Sequence, residues 1–82
     1  AAPIERGYID IVAHNNSDAV SEILKYLTEQ KIKVRNINLK NDDLQDTISL
    51  ELFLKINKDL NNNDIIAGIQ AIDGVISLEN VV

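Results

Sequence analysis

Few residues in this chain have side chains suited to chemistry, and they are scattered. The single His, at position 14, is followed by Asn15, Asn16, Ser17 and Asp18. An imidazole can exchange a proton near neutral pH, and the neighbouring amide, hydroxyl and carboxylate groups could hydrogen-bond a small molecule. Residues 14–18 are therefore the candidate ligand-binding segment. The same residues also have a plainer use, because Asn and Ser side chains accept hydrogen bonds from the unpaired amides that open a helix. Catalysis by His14 would need an orienting partner or a nucleophile that the sequence does not identify. No residue is assigned a catalytic role, and no cofactor is implied.

Metal chemistry is poorly supplied. The chain has no Cys and one His, too few for the usual zinc sites, which take several such ligands. Asp42, Asp43 and Asp46 could hold a hard cation through oxygen, but a calcium loop of the helix–loop–helix type needs a 12-residue ligand pattern with a central Gly and a terminal Glu. That pattern is absent here, so the aspartates read as a solvated turn and no metal site is assigned. Asn61, Asn62, Asn63 and Asp64 are explained by loop and capping roles.

Tyr8, Val12 and Phe53 form a different kind of candidate. On strands they point to one side, where a partly apolar patch would mark an interface. RNA-recognition modules put stacking aromatics at such positions, but their basic–Gly–aromatic motif is missing. Lys31, Lys33 and Arg35 read as a charged stripe that protects a sheet edge from unwanted pairing.

Composition limits the rest. With 82 residues the chain supports one core, built mainly from 13 Ile, 9 Leu and 6 Val; a domain this small buries roughly 60–65% of its unfolded surface. Net charge is -5. Residues 1–41 carry six Lys/Arg against five Asp/Glu, and residues 42–82 two against eight. An acidic chain repels phosphate, so nucleic acid is not an expected partner. No apolar run reaches the roughly 18 residues of a membrane span, and the N-terminus has no signal-peptide core. A soluble, cytoplasmic domain is expected. The start without Met, leading straight into a strand, suggests a piece of a longer protein.

These residues must be positioned by elements legible from periodicity. Tyr8–Ala13 alternates as a strand with Ile9, Ile11 and Ala13 on one side. Val20, Ile23, Leu24 and Leu27 form a helical stripe, predicting a helix from about Asp18 to Gln30. Ile32 and Val34 alternate in one phase and Ile37 and Leu39 in the other, which predicts a bulge near Arg35–Asn36 in a second strand. A polar hairpin connection over 41–46 leads to the clearest strand, in which Ile48, Leu50, Leu52, Leu54 and Ile56 alternate with Thr47, Ser49, Glu51, Phe53 and Lys55. Ile65, Ile66, Ile69 and Ile72 predict a short second helix closed by a left-handed cap at Asp73–Gly74, and Val75–Val82 a final strand. The order is βαββαβ. Right-handed crossovers put both helices on one face of a four-stranded antiparallel sheet, giving an α+β, ferredoxin-like two-layer sandwich of strand order 4-1-3-2. Residues 1–7 are expected to be a linker and 8–82 a single domain.

The order of elements, the Ile32–Ile37 run, the Ile48–Ile56 strand and the closing Ile69-Gln70-Ala71-Ile72-Asp73-Gly74-Val75 segment resemble an ACT domain. The resemblance covers residues 8–82 and implies a non-catalytic regulatory role. Amino-acid-binding ACT domains usually carry an Asp-x-Pro-Gly-like turn after strand one; here His14–Ala19 contains neither Pro nor Gly. In lacking that turn the chain looks like the cytosolic C-terminal domain of MgtC/SapB-family bacterial membrane proteins, linked to magnesium homeostasis. Pro3-Ile4-Glu5-Arg6 is similar to the charged stretch that often follows the last span there. That resemblance implies the soluble domain of an inner-membrane protein, touching the membrane through another part of the parent chain. The alternative is a small-molecule-sensing ACT domain of a metabolic or RelA/SpoT-type alarmone enzyme. The open sheet face adds a weak homodimer, or another protein partner, as an expectation.

Overall fold

The computed structural model describes residues 4–79 and 81. The elements are β1 (Ile4–His14), α1 (Ala19–Glu29), β2 (Lys33–Asp42), β3 (Thr47–Asn57), α2 (Asn62–Gln70) and β4 (Val75–Glu79). All neighbouring strands are antiparallel in the order β2-β3-β1-β4. This is the ferredoxin-like arrangement expected from the order of elements, with β1 and β3 at the centre.

Alternation in the two central strands decides the layers. Ile9, Ile11 and Ala13 on β1 and Leu50, Leu52, Leu54 and Ile56 on β3 are buried beneath the helices. From α1 come Ala19, Ile23 and Leu27, and from α2 come Ile65 and Ile69. No buried polar side chain occurs among the described residues. Removing so many aliphatic side chains from water, at roughly 25 cal/mol per Å², is the main force holding the two layers together.

Strand length and helix length do not match, and this shapes the molecule. An 11-residue strand extends about 36 Å, whereas an 11-residue helix is about 16 Å long. The extents of 45 × 20 × 18 Å reflect this mismatch. The β2–β3 hairpin runs past the helical layer, so Leu39 is 55% exposed and Leu44, in the turn, 96% exposed.

Several expectations need adjustment. β1 begins at Ile4, so residues 4–7 of the expected linker lie in the sheet; residues 1–3 lie outside the described residues, as do Asn80 and Val82 of the expected last strand. The turn between β2 and β3 shortens to residues 43–46, and Asp42 Oδ1 accepts from the Leu44 and Gln45 amides across it. The bulge in β2 falls where the phase change put it, between Val34 and Asn36. The cap on α2 does not: the helix ends at Gln70 with Ala71 in a right-handed conformation. Gly74, at φ 92°, instead closes the following turn, in which the Val75 amide donates to the Ile72 carbonyl. Lys31 has φ 61° and sits in the turn before β2, and Arg35 is the bulged residue. The expected basic stripe Lys31–Lys33–Arg35 is therefore not a stripe.

Candidate functional site

The candidate loop, residues 14–18, lies where β1 leaves the centre of the sheet. It is fixed by hydrogen bonds to two other turns and by the Ser17 side chain of its own. The His14 amide donates to the Gly74 carbonyl at 2.8 Å, and the Asn15 amide to the Asp46 carbonyl at 3.0 Å. Asn16 Nδ2 donates to Asp46 Oδ2 at 2.9 Å, which ties the loop to the hairpin turn. Ser17 Oγ donates to the His14 carbonyl at 2.7 Å and accepts from the Ala19 amide at 3.3 Å. Asp18 occupies the N-cap of α1 without a side-chain cap bond, so part of the expected capping falls to Ser17.

Gly74 explains why this end is tight. A Cβ there would meet Ser17 Oγ at 2.5 Å and Ser17 Cβ at 2.6 Å. With no Cβ, and with φ in the left-handed region, the α2–β4 turn can approach the loop. A shallow concavity remains beside it, lined by Asn16, Ser17, Asp18, Glu22, Ile72 and Asp73. Three of the five candidate loop residues line it; His14 and Asn15 do not.

The second candidate patch lies on the other side of the sheet. Tyr8 and Phe53 are directly opposite in the β1–β3 ladder, with ring centroids 4.9 Å apart and planes tilted by 59°. Val12 lies on the same face, opposite Ser49 and Ser77. The Tyr8 hydroxyl lies 2.5 Å from Asp10 Oδ1 and 2.7 Å from Glu51 Oε2, its one hydrogen shared between two acceptors. The bond to Asp10, then that to Glu51, holds the phenol well above its ordinary pKa, because the carboxylates favour the protonated form.

Reading along each strand missed the ordering of charge around this pair. The pattern Arg6-x-Tyr8-x-Asp10 runs antiparallel to Glu51-x-Phe53-x-Lys55. Pairing therefore collects cations in one row and carboxylates in another. The signal was present as i±2 spacing about each aromatic, but it needed the register to become a surface.

No cluster of three His, Cys, Asp or Glu residues able to hold a metal occurs among the described residues. Nor is any helix among them long and apolar enough to cross a membrane.

A family model for the ACT domain matches residues 7–79. The fold is also similar to the ACT domain of a GTP pyrophosphokinase of Chlorobium tepidum, with a TM-score of 0.79, 15% identity, and coverage of 98% of this chain and 100% of that one. The C-terminal domain of the MgtC protein from Mycobacterium tuberculosis matches with a TM-score of 0.72 and 14% identity over 93% of this chain and 84% of that one. A formyltetrahydrofolate deformylase from Pseudomonas putida matches with a TM-score of 0.75 and 15% identity; 92% of this chain is covered but 28% of the enzyme. At these identities the likeness is one of fold. No curated protein sequence matches the chain.

Proposed function

The chain belongs to the ACT domain family, whose members are regulatory rather than catalytic and often dimerise or bind small molecules, and on that premise we propose a non-catalytic module that works by changing its contacts with a second copy or another protein. The finer reading is the cytosolic, C-terminal ACT-like domain of an MgtC/SapB-type membrane protein linked to magnesium homeostasis, with residues 8–82 and the start of β1 before them as the module. The observation that carries it is the state of the β1–α1 loop. The turn has no Gly or Pro to bring backbone amides against a ligand, and the Asn16 and Ser17 side chains bond within the protein. Tyr8, Val12 and Phe53, by contrast, stand on a sheet face that no helix covers.

A second reading is favoured by one feature, the concavity beside Asn16, Ser17 and Asp18. It would suit a small polar ligand, contacted by residues within 14–18, in an ACT domain that senses an amino acid for a metabolic or alarmone enzyme.

Thermal unfolding in the presence of each amino acid, and of Mg²⁺, separates the two. A ligand that binds the folded state at 100 times its dissociation constant adds about 2.7 kcal/mol, which in a domain of this size raises Tm by roughly 10 °C or more. The preferred reading expects no amino acid to do this. Stabilisation by one amino acid, abolished by Asp18→Ala, would establish the second reading instead. The coding sequence upstream of residue 1 tests the parent: several membrane spans support the MgtC-type assignment, and a synthetase or dehydrogenase domain rejects it.

A further inference from the structure

The open face of the sheet is banded. In the middle row Tyr8 of β1 faces Phe53 of β3. Two residues toward one end, Lys55 faces Arg6 on one side and Lys33 on the other. Two residues toward the opposite end, Asp10 faces Glu51 on one side and Glu79 on the other. Rows two residues apart are separated by about 7 Å along the strands, so a cationic row and an anionic row flank an aromatic row at equal distances.

Within one copy this arrangement is unfavourable, since like charges directly opposite on neighbouring strands repel. The same six residues could alternate in sign across the ladder and attract. The sheet face thus carries three unit charges of each sign, segregated by row; the Tyr8 hydroxyl bridges Asp10 and Glu51 within the acidic row, while Arg6, Lys55 and Lys33 stand side by side in the basic one. Segregation of this kind is complementary to its own mirror order.

We propose that this face is the interface of a two-fold homodimer whose axis lies along the Tyr8–Phe53 row, in the plane between two facing sheets. This inference rests on the reading of the module as one that works through contacts, and gives that reading a geometry. Rotation about the axis preserves which strand lies above which and reverses position along it. Arg6 then meets Asp10 of the partner subunit, and Lys55 meets Glu51 of the partner subunit. The aromatic row packs on itself at the centre, with the ion pairs on either side of it. A two-fold axis turned by 90°, parallel to the strands, would set cations over cations and carboxylates over carboxylates. Charge therefore selects one of the two symmetric ways of stacking these faces. Packed sheets lie about 10 Å apart, a gap that Arg, Lys and Glu side chains span together.

The size of the surface sets the strength. Four strands at about 4.8 Å spacing make a face roughly 20 Å wide, and the banded part covers about 500 Å². Standard stable interfaces bury about 800 Å² per partner. The dimer is accordingly dependent on concentration and weakened by salt, because its flanking pairs lie near solvent.

Sedimentation equilibrium from about 10 µM to 1 mM, at low and at high salt, tests this with a charge-exchange set. Lys55→Glu and Glu51→Lys each place like charges across the interface, and each should weaken the dimer at least tenfold. The double exchange restores opposite charges in the proposed geometry and should return the dissociation constant to within about threefold of wild type. Within the monomer Lys55→Glu removes the like-charge contacts with Arg6 and Lys33, so its Tm should not fall. Glu51→Lys relieves repulsion with Asp10 but gives up the Tyr8 hydrogen bond, so its Tm is read beside the dissociation constant, and recovery of the dimer in the double exchange separates loss of contact from loss of fold. A wild-type chain that stays monomeric throughout overturns both the inference and the contact-based reading with a second copy. A dimer indifferent to both single exchanges leaves self-association standing, through the β2 edge for example, and overturns the charge-paired geometry. Single exchanges that weaken the dimer without recovery in the double exchange also overturn it.

Discussion

The two faces of this sheet use the same strands and follow opposite rules. Toward the helices, β1 and β3 present Ile and Leu with no polar side chain buried among the described residues. Toward the open side, the alternate positions of the same strands present Tyr8, Phe53 and ordered charge. The covered face gains from area alone, which is non-directional. The open face carries groups whose value depends on what is opposite them, and so carries information about a partner. The contrast teaches that in a two-layer domain the covered face answers for stability, and the open one is free to specify contacts.

The largest test of the contrast compares neighbours in sequence. Leu52→Ala removes a fully buried side chain and should cost about 2–5 kcal/mol by urea unfolding, a large fraction of the stability of an ordinary domain. A loss under about 1 kcal/mol would mean that the helical layer does not hold β3 as described. Next in size is Gly74→Ala, which disturbs the covered side from its end, where the new Cβ would meet Ser17 and the buried Ala19. Holding φ 92° with a Cβ costs about 1–3 kcal/mol, before the contact with Ser17 is relieved. Gly68→Ala, where the new Cβ would meet the Tyr26 ring, gives a useful contrast. The glycine is helical there, and a gain in helix propensity of about 1 kcal/mol offsets the crowding, so its net effect should be the smaller of the two.

Phe53→Ser, one residue from Leu52, should cost about 1 kcal/mol or less, the scale of a cross-strand aromatic pair. It should nevertheless lower self-association. If it unfolds the domain as Leu52→Ala does, the two faces are not different in kind. The smallest effect is spectroscopic. Because Tyr8 donates to Asp10 and Glu51, its phenol should stay protonated well above its ordinary range. In an ultraviolet titration the wild type should hold one more protonated phenol at about pH 11 than Tyr8→Phe does. The sign follows from the raised folded-state pKa. Any stability from this group is complete below about pH 10 and is lost as pH rises through the higher folded value. Tyr8 is solvent-screened, so the change should register in the titration more than in unfolding.

Much of the architecture was legible in the chain because it depends on periodicity. Unbroken alternation from Ile48 to Ile56 marks a strand with one buried side, and the spacing of Val20, Ile23, Leu24 and Leu27 marks a helix on a core. Even the bulge near Arg35 announced itself as a change of phase between Val34 and Ile37. Local signals were weaker at the ends of elements. Gly74 was correctly expected to need a positive φ, yet its use depends on Ser17, more than fifty positions away in sequence and in contact only after folding. Lys31 looked like part of a strand because its charge matches its neighbours; its left-handed backbone, in the turn after α1, removes it.

The sequence by itself determined the order of elements, the two-layer class, and which face of each central strand is apolar, since these follow from side-chain spacing along one segment at a time. Tertiary structure decided which polar groups of residues 14–18 remain for a ligand, because their partners come from Asp46 and Gly74. It also decided that Arg6 and Lys55 share a row while Asp10, Glu51 and Glu79 share another. A row across a sheet joins residues from different strands, and its membership changes with a slip of one residue in register. Side-chain alternation within a strand is local; the register between strands is set only when the core packs and the turns close.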